Sequence, residues 1–217
     1  MKKLFIILIT SIALHLSGYA QGVRFGIVAG APISNFDVKT NDFLPNTKTM
    51  TGFTAGVIVD LPLGSSFSLQ PGLNYVQKGT RIEQTSDGQT LQAKMSVNNL
   101  ELPLNFLFNV PTSAGNFFIG AGPSISYALS GKVRVTDGTN TISKTLSFGT
   151  TSEDDMRRYD FGANFTAGFT LKRGLLLAAN YNAGLSNLEP QTTDGIKTSS
   201  HYFGIKLGYM FGGSGKK

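Results

Sequence analysis

An all-β chain is predicted by three observations. Bulky apolar residues take every second place in eight stretches, the connections between those stretches alternate long and short, and the face opposite the bulky one is nearly free of charge. Together they specify an eight-stranded antiparallel up-and-down transmembrane β-barrel.

The alternation is plainest over 159–186. Tyr159, Phe161, Ala163, Phe165, Ala167, Phe169 and Leu171 occupy every second position, with Asp, Gly, Asn, Thr, Gly and Thr between them. After Lys172-Arg173-Gly174 the pattern resumes as Leu175, Leu177, Ala179, Tyr181, Ala183 and Leu185. Successive side chains of a strand point to opposite faces, so a period of two is the signature of a strand. The same reading places strands at 23–30, 51–60, 67–78, 97–109, 116–130, 158–171, 174–186 and 201–211.

Residues 31–50, 79–96, 131–157 and 187–200 form the long connections, rich in Thr, Asn, Asp and Ser. Short turns lie between them at 61–66, 110–115 and 172–173. Outer-membrane barrels have this asymmetry, with long external loops and short periplasmic turns.

One face carries Phe53, Ala55, Val57 and Val59, then Leu69, Leu73 and Tyr75, then Leu100, Leu102, Leu104, Phe106 and Phe108. Phe117, Ile119, Ala121, Ile125 and Tyr127 continue it, and Phe203, Ile205, Leu207, Tyr209 and Phe211 close it. The opposite face of the fifth stretch reads Phe118, Gly120, Gly122, Ser124, Ser126, Ala128 and Ser130, without one ion. A soluble lipocalin-like carrier would wet that face, yet a soluble surface wants roughly 25–35% charged residues. It would also have to fit the bulky set inside a narrow eight-stranded barrel. Turned inside out, both difficulties vanish: large groups face lipid, and small or polar ones fill the interior.

The aromatic residues fit that polarity. Tyr75, Tyr127 and Tyr159 fall at the outer ends of strands, and Phe67, Phe108, Phe117, Phe169 and Phe211 at the periplasmic ends. Girdles at both interfaces are expected of membrane barrels, and closure leaves no backbone amide bare in lipid. Pro71, Pro103 and Pro123 interrupt three strands; bulges or local strand ends are the expected accommodation.

The chain opens MKKLFIILITSIALHLSGYAQG. A charged head at Lys2-Lys3, an apolar run from Leu4 to Leu16 and a small-x-small Gly18-Tyr19-Ala20 read as a secretory signal peptide over 1–20. The run is shorter than the roughly 20 residues a spanning helix needs. The expected organisation is then a barrel domain at 21–211 and a short flexible tail at 212–217. Without the leader, 17 basic side chains stand against 13 acidic ones, a net charge of +4. No basic run precedes Lys216-Lys217, so nucleic acid is not an expected partner. With no Cys and only His201 left after processing, thiolate and multi-histidine metal sites are excluded, and no cofactor is expected.

The stretches "FSLQPGLNYVQKG", "LELPLNFLF", "FIGAGPSISYALSGK", "YDFGANFTAGF", "LLLAANYNAGLSNL" and "YFGIKLGYMF" resemble, in order and over nearly the whole mature chain, the PorT-like outer-membrane β-barrel family. The resemblance implies an eight-stranded outer-membrane barrel. It brings no catalytic motif, and some relatives serve protein secretion across the outer membrane. Many outer-membrane barrels end on an aromatic residue, whereas here GGSGKK follows Phe211.

Three candidate sites follow. Asn74, Asn99, Glu101, Asn105, Asn164, Asn180 and Lys206 point inward. They describe either a narrow polar pore or a plugged core in which Glu101 pairs with Lys206 or Arg24; the plugged core is preferred, because buried charges need partners. Ser199 and His201 share one face at the outer end of the last strand, with Glu189 in the preceding loop. That pattern fits a lipid-modifying hydrolase, but it also fits an ordinary polar junction, so no catalytic residue is assigned. The motifs "TSDGQT", "VTDGTNT" and "TTDGIKT" carry Asp-Gly hairpin signals. Glu153-Asp154-Asp155 fits either a divalent-cation site or a solvated acidic run, and the solvated run is preferred. The function expected is binding or scaffolding, with outer-membrane lipid around the barrel and a protein partner at the external loops or the periplasmic rim.

Overall fold

The computed structural model describes residues 22–39, 47–86, 89–137, 140–190 and 197–212. The expected leader and nearly all of the expected tail lie outside the described residues. Ten strands are formed in order: β1 (Arg24–Lys39), β2 (Thr47–Thr51), β3 (Thr54–Pro62), β4 (Phe67–Ser86), β5 (Gln89–Pro111), β6 (Gly115–Asp137), β7 (Asn140–Thr145), β8 (Tyr159–Leu171), β9 (Leu175–Gly184) and β10 (Lys197–Phe211). β2 and β3 are two parts of one stave, broken at Gly52-Phe53, and β7 pairs only with β6 off the ring. Eight antiparallel staves therefore close when β10 pairs with β1, from Phe25 opposite Phe211 to Lys39 opposite Lys197.

The polarity is inside out. Phe25, Ile27, Phe106, Phe165, Ile205 and Leu207 stand outward with exposures of 49–60%, while Asn74, Glu101, Asn105, Asn164, Asn180 and Asn182 on the other face are buried. Both girdles are present as ring contacts. Tyr127 and Tyr159 meet edge to face at 5.2 Å; at the opposite end Phe67 meets Phe106 and Phe108, each at 5.4 Å.

The strands run further than the sequence reading placed them. Much of 31–50, 79–96 and 131–157 is strand: β1 continues to Lys39, β4 and β5 extend as one hairpin, and β6 turns back into β7. Thr and Val are good strand formers, and Val133 and Val135 keep the alternation after lipid has ended. The second and third external connections thus rise as hairpins, though Asp87-Gly88 and Gly138-Thr139 at their tips, and the Asp-Gly of "TTDGIKT", fall outside the described residues.

The prolines are handled without bulges. They sit side by side on β4, β5 and β6, where pairing lapses for two residues and resumes in the same register: Pro71 opposite Leu104 before Asn74 opposite Glu101, and Pro103 opposite Ser124 before Phe106 opposite Ala121. The prolines thus leave a two-residue gap in each of two adjacent ladders. The bulge that does occur is elsewhere: Asn98 pairs with Ser130 and Asn99 with Ala128, leaving Leu129 extra on β6.

Candidate functional site

The lumen is filled in three layers. At the short-turn, periplasmic end, Val28, Ile58, Leu107, Phe118, Leu176, Ala178 and Met210 form an apolar plug. This departs from the expectation of small polar residues throughout. Glycines on the same inner face make room for it. A Cβ on Gly168 would lie 2.5 Å from Phe118 Cζ, and one on Gly26 would lie 2.4 Å from Met210 Sδ. Bulky and absent side chains are complementary here, as a narrow barrel requires.

The middle layer is charged. Lys78 Nζ lies 3.3 Å from Glu101 Oε2 and 3.6 Å from Asp160 Oδ2. Tyr202 Oη donates to Glu101 Oε1 at 2.5 Å, Ser126 Oγ to Glu101 Oε2 at 3.1 Å, and Ser200 Oγ to Asp160 Oδ2 at 2.6 Å. The Lys78 ammonium also sits 5.2 Å from the centre of the Tyr202 ring, a cation–π contact. The plugged core expected from the sequence is present, but with other partners. Glu101 takes Lys78 rather than Lys206 or Arg24, and Arg24 is bound 2.5 Å from Asp60 at the periplasmic mouth. Lys206 instead helps line a void of about 30 Å³ with Asn74, Asn105, Asn164 and Asn180. Lys78 and Asp160 are not among the inward residues singled out from the sequence, although each shares its parity with an inward Asn: Lys78 with Asn74, Asp160 with Asn164.

The third layer caps the outer mouth. Phe36, Val97 and Ala128 of the staves pack with Met156 and Leu188 of the loops, and Met95, Leu146 and Phe148 flank them. Two adjacent arginines strap this cap down. Arg157 Nε donates to the Glu189 carbonyl at 2.7 Å, and Arg158 donates to Tyr127 Oη and the Phe148 carbonyl, each at 3.3 Å.

Two of the three acids in the run, Asp154 and Asp155, are held by near neighbours. Asp155 accepts from Lys144 at 2.6 Å and from the Ser147 amide at 2.9 Å, which hold its carboxyl below the usual range. Asp154 is held low by the Thr151 hydroxyl and amide. No group of three metal-ligating side chains occurs among the described residues. The structure gives the Ser–His pattern other partners. His201 Nδ1 faces Asp37 Oδ2 at 3.1 Å, Glu189 accepts from Thr198 at 2.5 Å rather than orienting the imidazole, and Ser199 makes no side-chain hydrogen bond to His201 among the described residues.

A filled inner face inside a closed, lipid-facing wall defines the class, and a family match agrees with it. Residues 19–189 match the model of the outer membrane protein beta-barrel domain. The chain belongs to that family. This barrel is therefore an outer-membrane protein of a bacterium, surrounded by the bilayer. Among solved structures, it is similar to Ail, the attachment invasion locus protein of Yersinia pestis, at 14% identity over 88% of this chain and 99% of that one, with a TM-score of 0.40. It is also similar to OprG from Pseudomonas aeruginosa at 11% identity over 88% and 97%, TM-score 0.45, and to Neisserial surface protein A at 12% over 86% and 97%, TM-score 0.38. No curated protein sequence matches the chain.

Proposed function

We propose that this outer-membrane barrel works by binding or scaffolding at its external end, as neither a pore nor an enzyme. The observation that carries the reading is the edge of β7. Six residues, Asn140–Thr145, pair with β6 on one side, while their other side has no strand partner among the described residues. All six are exposed, Ile142 at 75%. An open strand edge held above the bilayer offers backbone donors and acceptors to an extended segment of another protein, which would add as a further strand. The filled lumen favours this over a pore, since three packed layers lie between the two mouths. The motifs resembling PorT-like barrels favour a secretion-linked or cell-surface partner.

Two measurements test the reading. A photo-crosslinker placed at Ile142 in intact membranes is expected to give a discrete protein adduct that the same probe at lipid-facing Ile205 does not. Liposomes carrying the protein are expected to swell in arabinose no faster than empty ones. Porin-like swelling, or adducts equal at the two positions, would contradict it.

A further inference from the structure

The outer wall of β4, β5 and β6 continues above the Tyr girdle in registered rows. Tyr75, Leu100 and Tyr127 form the first row. Gln77, Asn98 and Ser130 form the second, joined as Gln77 Nε2 donates to Asn98 Oδ1 at 3.2 Å and Asn98 Nδ2 to Ser130 Oγ at 3.0 Å. Gly79, Ser96 and Lys132 make the third. Arg81, Lys94 and Arg134 make the fourth, each directly opposite the next, and Lys48 of β2 pairs with Arg81 at its end.

Like charges directly opposite one another across strands are destabilising, with Cβ atoms only about 4.5–5.5 Å apart. Lys48 has a counter-ion in Glu83, and the field of that carboxylate also reaches Arg81. Lys94, Lys132 and Arg134 have no acidic partner among the described residues, and all three are exposed. The Leu129 bulge builds the row. In the register below it, Val133 would face Lys94; the extra residue brings Arg134 there instead and turns Lys132 and Arg134 to the outside.

The vertical order of the rows matches one kind of molecule. Apolar and aromatic groups come first, then uncharged amides and a hydroxyl, then cations. Arg81 lies six residues beyond Tyr75 on the same face, which at ~3.3 Å per residue and a strand tilt of roughly 40° is about 15 Å above the girdle. That is higher than the roughly 5–8 Å of polar headgroup on one side of a simple bilayer, so a simple phospholipid phosphate lies below the row. A lipid whose sugars carry phosphate above its acyl chains spans the gap. We propose that this ladder is a binding site for a phosphate-bearing glycolipid of the outer leaflet. Acyl chains lie against the Leu100–Leu102 wall, sugar hydroxyls meet Gln77, Asn98 and Ser130, and phosphate oxygens take charge-assisted hydrogen bonds from Arg81, Lys94 and Arg134. The long arms of these cations reach down toward the anions while their heads stay wet.

The test uses the full chain purified in detergent, with lipid retention followed by native mass spectrometry. The probes are bisphosphorylated lipid A, the same lipid dephosphorylated, and soluble polyphosphate. The wild-type protein is expected to retain the bisphosphorylated lipid in preference to the dephosphorylated one. The triple variant Arg81→Gln/Lys94→Gln/Arg134→Gln is expected to hold it on the order of 100-fold less tightly, while giving the same far-ultraviolet circular dichroism as the wild-type barrel. Lys172→Gln, in the short turn at the opposite end of the barrel, should leave retention as it is. Should the triple variant not fold, raising salt on the wild-type protein from low concentration to about 0.5 M replaces it, since screening should remove the preference for phosphate. Equal retention of the two lipids, a folded triple variant binding like wild type, or a preference that survives high salt would overturn the proposal. Soluble polyphosphate displacing the lipid at equal concentration would likewise overturn it, in favour of a site for free polyanions.

Discussion

Replacing Lys78 with methionine is expected to lower the unfolding free energy by about 3–5 kcal/mol, the cost typical of breaking a buried ion pair from one side. Lys78 is 2% exposed and lies between two carboxylates, Glu101 and Asp160. Without the ammonium, two buried negative groups share the middle layer with no cation between them. Urea-induced unfolding of the protein refolded into vesicles measures the effect. The loss should be partly recovered in Lys78→Met/Glu101→Gln/Asp160→Asn, because the three charges leave together and buried ion networks replaced as a unit are often nearly neutral, while Lys206 loses the field of Glu101. If Lys78→Met alone were as stable as wild type, the charges would have to be solvated, and the lumen would be wetter than its packed layers allow.

Phe118→Ala is the second large effect. The ring is 3% exposed and lies at the centre of the periplasmic plug, against Leu107, Leu176 and the bare backbone of Gly168. A barrel wall held by a continuous ladder cannot collapse onto the space a phenyl group leaves, so the transfer loss and the cavity loss add. Phe-to-Ala changes in cores cost about 3–5 kcal/mol, and the rigid wall places this one toward the upper part of that range. The same unfolding assay reads it. The substitution should not open a conducting path, because the charged layer and the Phe36–Met156–Leu188 cap remain above it. Phe118→Leu should return most of the stability.

The sequence displayed the wall better than the contents. Alternation of Leu100, Leu102, Leu104, Phe106 and Phe108 marks the lipid face, because lipid contact is a single requirement repeated at every second place, and the same run therefore predicts strand, polarity and girdles at once. The lumen is less uniform. Phe118 was visible on the small, polar face of its strand, but nothing local says that it joins residues from five other staves, since that is a property of closure. Met156 and Leu188 read as loop residues and became core only because the Arg157–Arg158 strap folds them over the mouth. Lys78 and Asp160 were within reach of parity, while their pairing with Glu101 depended on stagger between staves.

The ends of the strands were the other unreadable feature. A period-two signal weakens where lipid stops selecting for apolar groups, so the upper parts of β1, β4, β5 and β6 looked like polar loops. Backbone pairing continues there, since β-formers such as Thr80, Val133 and Val135 keep the ladder together. The Leu129 bulge hid the remaining alternation by shifting its phase. The cationic row was for that reason invisible as a row: Arg81, Lys94 and Arg134 are scattered in the sequence and meet only through register.

The chain has no cysteine, which permits a clean test of its polarity. Single cysteines placed in turn at 99 to 108 along β5, spin-labelled in the reconstituted protein, report collisions with oxygen dissolved in the bilayer. Strict alternation is expected, with high accessibility for Leu100→Cys, Leu102→Cys, Leu104→Cys, Phe106→Cys and Phe108→Cys, and low accessibility for Asn99→Cys, Glu101→Cys, Asn105→Cys and Leu107→Cys. An inverted phase, or equal and low oxygen accessibility at every position, would contradict a lipid-facing wall around a filled lumen.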